Sequence, residues 1–438
     1  MSHTSSAPSS LSRLESVTNQ LNSYSAESLK VDEAIQILQS FVATFPGQLT
    51  SETVGIYEAL GRILAQDVIS PINVPSADNS AMDGYAFNGQ SINSSEKTSL
   101  TMIGKGLAGN AFSGSVQVGE CVRIMTGAMM PQGCDTVIPQ ELVQVDGDVI
   151  QFKSLSVKPG DNRRLKGEDL SAGQAALLAG KIIRPADLGL IASLGIGEVS
   201  VYRRLKVGFF STGDELRSIG EQLDEGCVYD SNRYTLFGML TRLGVEVIDF
   251  GVVKDQADAL RKVFSDAASK CDAIITSGGV SVGEADYTKQ IMRELGDIAF
   301  WKINMRPGKP MAFGSIQANG HQAVLFGLPG NPVAVMVTFY QFVRQALLKM
   351  SGATQIEAPQ MQARSLGTIR KRPGRTEFQR GIVSIDPSGQ RTVAITGSQG
   401  SGVLRSMSEA NCLIILHHDQ DTVQSGDWVD VVMFEGLI

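Results

Sequence analysis

Histidine, tryptophan and cysteine are all scarce in this 438-residue chain, which has four, two and five of them. The cysteines (Cys121, Cys134, Cys227, Cys271, Cys412) are scattered, odd in number and never spaced as CxxC. That excludes a disulfide framework and a cysteine zinc site, and makes a reducing cytoplasm the expected setting. One adjacent histidine pair, His417 and His418, is too little for a histidine-rich metal centre. No apolar run approaches the ~18–20 residues of a membrane span, so no membrane contact is expected. Positive charge is also short: 38 Lys and Arg face 45 Asp and Glu, for a net charge of −7. A nucleic-acid-binding surface over the whole molecule is therefore not expected, and an anionic ligand must be met by local cations. The serine-rich residues 1–26 lack the apolar core of a signal peptide and read as a disordered tail.

What is present points to several domains, since single cores rarely grow past ~250–300 residues. Val31, Ala34, Ile35, Leu38, Val42 and Phe45 recur at helical spacing, predicting a helix over Val31–Phe45. Short alternating segments split by glycine fill residues 75–157, as in SVQVGECVRIMTG, and predict an inserted β module. It interrupts an elongated N-terminal domain, residues 27–74 and 158–204, whose second part carries a helix over Arg184–Leu194. From residue 205 to 352 strand and helix patterns alternate. LKVGFFSTGDEL, VEVIDFGVV, DAIITSGG and AVLFGLPG read as strands, with helices at Ser231–Leu243 (capped by Ser231), Ala257–Lys270 and Asn331–Met350. Such alternation predicts a parallel, doubly wound sheet. Residues 353–438 return to short strands, RPGRTEFQRG and SGDWVDVVMF among them, and predict a C-terminal β domain. The fold class is α/β plus β, multidomain.

In open α/β sheets, ligands bind beyond the carboxyl ends of the strands. Three strand ends carry unusual loops here: STGDEL (211–216), SGGVSVGEAD (277–286) and LPGNP (328–332). Ser277, Gly278, Gly279, Ser281 and Gly283 can wrap an anion with amides and hydroxyls, although a lone glycine pair fits a plain turn equally well. Asn331 and Pro332 suit a helix start facing the crevice, after Pro329 and Gly330. Asp214, Glu215, Asp255, Glu284 and Asp286 follow strand ends. Any one of them reads as solvated surface, but facing pairs can supply one or two oxygens to Mg²⁺. RPGKP sets Arg306 and Lys309 on a stiff loop after Lys302, suited to an oxyanion, or simply an exposed hairpin bearing cations. PSADNSAMDGYAF, with Asp78 and Asp83, and RIMTGAMMP, with Thr126, are polar loops that name no function unaided.

Taken in order, DNSAMDGYA, RIMTGA, RRLKGEDL, FSTGDEL, YDSNRY, TSGGVSVGEADYTK, RPGKP and GLPGNPV resemble the molybdopterin molybdenumtransferase family, bacterial enzymes related to the E domain of gephyrin. The resemblance runs from about Val31 to the C-terminus. It implies an elongated homodimer of four-domain subunits, in which the molybdopterin-binding α/β domain of one subunit meets the β module of the other. The implied reaction moves molybdenum from molybdate to adenylylated molybdopterin with Mg²⁺-dependent loss of AMP. Residue by residue, the resemblance gives Asp83, Thr126, Asp169, Glu215, Asp286, Lys302 and Lys309 catalytic places. Asp255, Glu215 and Asp286 would hold the metal. Ser277, Gly278, Gly279, Ser281, Gly283, Arg306, Pro329, Gly330, Asn331 and Arg375 would bind substrate, with Arg380 a further candidate for molybdate. Many relatives carry Lys where this chain has Arg306. Arginine keeps the charge but cannot serve as a neutral base. Implied partners are the molybdopterin adenylyltransferase and recipient molybdoenzymes. Two other activities remain to be separated from this one: the adenylyltransferase itself, which usually lacks the Asp83 module and the last β domain, and a non-catalytic dimeric scaffold.

Overall fold

The structure, a computed structural model, describes residues 12–19, 24–45, 49–93, 95–280 and 287–434. It divides into two compact units. The smaller comprises residues 66–179 and 185–199. Its centre is a six-stranded sheet in the order Thr136–Pro139, Gly84–Phe87, Glu120–Ile124, Lys97–Gly106, Val149–Lys153, Gln144–Asp146. The first four residues of KTSLTMIGKG alternate exposed and buried, as a half-covered strand requires. Tyr85, Phe87, Leu100, Cys121, Ile138, Ile150 and Phe152 fill the space under the sheet. An antiparallel ribbon sets Arg163 against Ser80 and Arg164 against Asn79, so RRLKGEDL runs beside DNSAMDGY.

The larger unit comprises residues 1–65, 180–184 and 200–438. Its elements begin with helices α1 (Arg13–Thr18) and α2 (Val31–Val42). The α/β region follows with β1 (Lys206–Thr212), α3 (Ser231–Leu243), β2 (Glu246–Val253), α4 (Ala257–Lys270) and β3 (Ala273–Ser277). It continues with α5 (Tyr287–Leu295), β4 (Gly296–Lys302), β5 (Pro310–Ala318), β6 (His321–Leu328) and α6 (Pro332–Thr338). The sheet order is β2-β1-β3-β6-β5-β4. Strands β2, β1, β3 and β6 are parallel, whereas β5 and β4 are antiparallel and form one edge. The parallel, doubly wound sheet expected from the sequence is thus a mixed one, with an antiparallel edge. GDIAFWK and PMAFGSIQA are antiparallel strands that no helical segment separates.

Alternate residues of each central strand face opposite layers. Val207, Phe209, Ile275, Phe313 and Phe326 pack with α2, α3 and α6 on one side. Phe210, Ile274, Ala312 and Leu325 pack with α4 and α5 on the other. Helix α2 packs on the α/β core, where Phe41 meets the edge of the Phe313 ring at 4.9 Å. The disordered tail expected over residues 1–26 is corrected at residues 12–19, while residues 1–11 and 20–23 lie outside the described residues. Ser12 and Glu15 form a reciprocal capping box at the start of α1, and Leu14 and Val17 are buried. The expected cap of α3 shifts by one residue, from Ser231 to Asp230, whose Oδ1 accepts the Arg233 N–H. Past Thr338 a π turn (Phe339–Val343) leads into a final helical stretch, Arg344–Met350.

Strands Gln360–Ser365, Thr376–Ile385, Arg391–Ile395, Cys412–Leu416 and Trp428–Met433 pair in a closed circuit. Closure leaves this small barrel without a free edge. Met305 and Arg306 add a short parallel pairing to Thr376 and Glu377, tying the RPGKP loop to the barrel. Among the described residues no helix is long and apolar enough to cross a membrane.

Candidate active site

The crevice lies beyond the carboxyl ends of β1, β3 and β6. Gly278 takes φ +93° and Gly279 φ +67°, the left-handed region that glycine enters without a Cβ penalty. A Cβ on Gly278 would lie 2.4 Å from the Thr212 carbonyl oxygen, and one on Gly279 would lie 2.6 Å from Thr288. The backbone here is pressed against its neighbours as closely as a glycine allows. Gly278 N–H donates to Leu328 O at 3.1 Å, which joins the β3 and β6 loops. Asn232, in the first turn of α3, donates through Nδ2 to Gly330 O (2.7 Å) and Ser277 Oγ (3.2 Å), and Ser277 Oγ lies 3.3 Å from Ser211 Oγ. The structure thus brings Ser277, Gly278 and Gly330 together. Asn331 starts α6 as expected, though its side chain makes no capping bond. Ser281, Gly283, Glu284 and Asp286 lie outside the described residues.

Carboxylates gather on one flank. Asp255 N–H donates to Asp214 Oδ1 at 3.4 Å, and Thr288 Oγ1 donates to Asp255 Oδ1 at 3.3 Å. Glu215 folds back so that its carboxylate lies 2.5 Å from where a Gly213 Cβ would sit. All three are oxygen donors suited to a hard cation. Among the described residues no three His, Cys, Asp or Glu side chains are grouped closely enough to hold a metal ion. The oxygen donors are of the type that suits Mg²⁺.

Cations occupy the other flank. Gly308 packs on α6, where a Cβ would meet Thr338 at 2.6 Å, so the RPGKP loop lies along the helix that Asn331 begins. Arg306 and Lys309 are exposed. Lys302 is instead paired with Glu27. Arg375 bonds Glu377 through Nε (2.9 Å) and its terminal nitrogen (2.8 Å), and Glu377 is 3% exposed. Arg380 is buried, donating to Ser406 Oγ (3.0 Å), Gly400 O (3.0 Å) and Ser398 O (3.4 Å). Burial, with added repulsion from Arg306, pushes its pKa down to about 10, so it stays charged near neutral pH. Its bonds shape the loop whose Ser401 carbonyl accepts the Val333 N–H of α6 at 3.1 Å. Arg380 therefore organises the loop, and its described contacts are all within the protein.

In the smaller unit, Asp83 Oδ1 accepts both the backbone N–H and the hydroxyl of Thr126, each at 2.7 Å. The backbone bond first and the hydroxyl second hold this exposed carboxyl below the usual aspartate range, and Arg123 adds a smaller attraction. Gly84 enforces the approach, since a Cβ there would lie 2.0 Å from Ile138 O. Asp169 is exposed near this ribbon, its N–H donating to Val74 O at 3.1 Å.

Sequence reading assigned no role to Asn232, Ser211 or Asp230. The available signal was YDSNR at the start of a helix following a strand-end loop, where short polar side chains face the crevice.

A six-strand α/β domain with a glycine crevice, a β module bearing a fixed aspartate and a small closed barrel define a multidomain α/β-plus-β class with a crevice suited to an anion. Comparison with known proteins narrows it. Residues 29–195 match the MoeA N-terminal region (domain I and II), 208–349 a probable molybdopterin binding domain, and 362–434 the MoeA C-terminal region (domain IV). The chain is 45% identical over 396 residues to the molybdopterin molybdenumtransferase of Haemophilus influenzae, covering 90% of this chain and 96% of that one. Gephyrin of Dictyostelium discoideum is 32% identical, covering 92% of this chain and 62% of gephyrin. The crystal structure of the molybdopterin biosynthesis moeA protein from Pyrococcus horikoshii OT3 superposes with a TM-score of 0.77 at 28% identity, covering 93% of this chain and all of that one. The chain belongs to the molybdopterin molybdenumtransferase family.

Proposed function

We propose that this chain is a transferase of molybdenum cofactor biosynthesis that moves molybdenum from molybdate to adenylylated molybdopterin, releasing AMP. The observation that carries this reading is the crevice, where a glycine cradle lies between a carboxylate flank and a cationic one. Molybdate, pyrophosphate and AMP are all anions, and a protein of net charge −7 must meet them locally. Backbone amides at Gly279 and Asn331 suit the pyrophosphate, while the Gly278 N–H, bonded to Leu328 O, holds the cradle in shape. Arg306 and Lys309 suit molybdate, Arg306 as a two-pronged donor and not as a base. Asp255, Glu215 and Asp214, with Asp286, would hold Mg²⁺, which when bound neutralises charge on the phosphate oxygens. Asp83 stays ionised and fixed by Thr126, able to orient a water or a metal-bound group. No protein thiolate is required, because the dithiolene sulfurs belong to the pterin. Burial fits this, pushing the Cys121, Cys134 and Cys412 thiols up to about 12 and Cys271 up to about 11.

The active unit is a cytoplasmic homodimer, with Asp83 and Thr126 of one copy completing the crevice of the other. The adenylyltransferase that makes the substrate and the molybdoenzymes that take the product are its partners. Co-expression of Asp83→Ala and Lys309→Ala subunits tests the composite site. Mixed dimers should regain up to about half of wild-type AMP release, because one of their two sites is intact. Mixed dimers as inactive as either parent contradict it.

A further inference from the structure

Asn232 is 7% exposed, and both of its amide protons are spent on crevice loops: Nδ2 donates to Gly330 O at 2.7 Å and to Ser277 Oγ at 3.2 Å. Its own Oδ1 is buried and, among the described residues, has no partner. Leaving a buried acceptor unmet is unfavourable. The arrangement keeps that penalty and holds the ends of β1, β3 and β6 in register through Ser211, Ser277 and Gly330.

The Gly330 contact also has a direction. In a trans peptide the carbonyl and the following N–H point opposite ways. Among the described residues the cis peptides are Val74–Pro75 and Arg306–Pro307, so the Gly330–Asn331 bond is trans. Its carbonyl turns inward to the buried amide of Asn232. The Asn331 N–H therefore points outward, where Gly330 and Asn331 are both exposed. Rotation of this peptide would bury the donor and present a carbonyl oxygen to an incoming anion.

We infer that Asn232 is a positioning residue for phosphate binding: it acts through the Gly330–Asn331 peptide, fixing the Asn331 N–H toward a pyrophosphate-type oxyanion. This rests on the proposed function for the identity of the anion, and on the geometry alone for the role of the amide.

Asn232→Asp is nearly isosteric and separates the donor from the shape. As a carboxylate it has no proton to give, and its charge meets the Gly330 carbonyl. Protonated, it regains one donor. The neighbouring ionisable groups are Asp230, which caps α3, and Arg233, which pairs with Asp249 at 2.7 Å. All three remain in the variant, so the ratio to wild type isolates position 232. The measurement is isothermal titration calorimetry of the full chain with inorganic pyrophosphate, from pH 8 to pH 5.5. At pH 8 Asn232→Asp should bind ~10-fold more weakly than wild type, and the ratio should narrow severalfold as the pH falls. Asn232→Ala should bind more weakly by a ratio that does not change with pH. With adenylylated molybdopterin, both variants should raise KM more than they lower kcat.

Wild-type pyrophosphate affinity in folded Asn232→Asp at pH 8 overturns the inference, as does a loss that stays constant with pH. Absence of pyrophosphate binding by the wild type overturns it too. If the wild type binds pyrophosphate but releases no AMP from adenylylated molybdopterin, the proposed function fails and the role of Asn232 is judged on the calorimetry alone.

Discussion

Replacing Gly278 by alanine tests the cradle most severely. The new Cβ would sit 2.4 Å from Thr212 O, whereas ordinary contact begins at 3.4 Å, so something must move by 3.4 − 2.4 = 1.0 Å. The atom in the way is backbone of β1 and cannot swing aside as a side chain would. Alanine at φ +93° adds strain of about 1–2 kcal/mol, and overpacking adds about 1–3 kcal/mol, together about 2–5 kcal/mol. For a domain of this size that lowers the melting midpoint by roughly 4–20 °C. A displacement of 1 Å at a reacting centre can remove ~100-fold of rate, so the surviving folded protein should be at least that much slower in AMP release. Gly251→Ala supplies the control, because it shares the left-handed backbone at φ +82° but meets nothing within 4 Å. It should lose only about 1–2 kcal/mol and keep wild-type turnover. Thermal unfolding and turnover are measured on both. A Gly278→Ala protein indistinguishable from Gly251→Ala refutes the close-packed cradle.

Thr126→Val removes one of the two donors to Asp83 and leaves the backbone N–H. The carboxyl pKa should rise toward its ordinary value, which carbon-detected NMR titration reads, and any acid limb that Asp83 gives the activity profile should move to higher pH. The sign follows from the depressed native pKa: stabilisation by these bonds is full above the unfolded pKa and lost as pH falls through the folded one. Arg375→Ala leaves the buried Glu377 with the Gln379 amide, 3.1 Å away, as its hydrogen-bond partner and no paired cation at that distance among the described residues. With Arg375 43% exposed, urea denaturation should show a loss of about 1–3 kcal/mol, largely restored by adding Glu377→Gln. In native protein at pH 8, Ellman's reagent should leave Cys121, Cys134, Cys271 and Cys412 largely unmodified, because burial holds them as thiols.

Where periodicity was strong, the sequence reading and the structure coincide: Ala257–Lys270 is helical over the whole expected span. The strands LKVGFFST and DAIITS were legible because a sheet buried on both faces needs near-continuous apolar runs. The antiparallel edge was not legible, since GDIAFWK has the same apolar character whichever way its neighbour runs. Helix α1 was hidden by its serine-rich surroundings, although Ser12 and Glu15 carried its capping signal. Of the site, the glycines were visible as a pattern, but the reason each must be glycine is tertiary: Gly278 answers to Thr212 and Gly84 to Ile138, 66 and 54 residues away in sequence. Asn232 was invisible for the same reason. An asparagine in a helical first turn looks like capping until its amide is seen bridging Ser277 and Gly330, 45 and 98 residues further along. Arg380, a weaker candidate for molybdate contact, likewise has partners that are tertiary: it is buried and bonds Ser398, Gly400 and Ser406.

What the crevice does to a phosphoanhydride in the presence of molybdate is read directly by turnover. The purified chain should be incubated with adenylylated molybdopterin, Mg²⁺ and molybdate, following AMP by chromatography and product by reconstitution of an apo-molybdoenzyme. AMP should appear together with active cofactor, and omitting molybdate or Mg²⁺ should abolish cofactor formation. Adenylylation of molybdopterin at the expense of ATP, with no molybdate-dependent release of AMP, contradicts the proposed function.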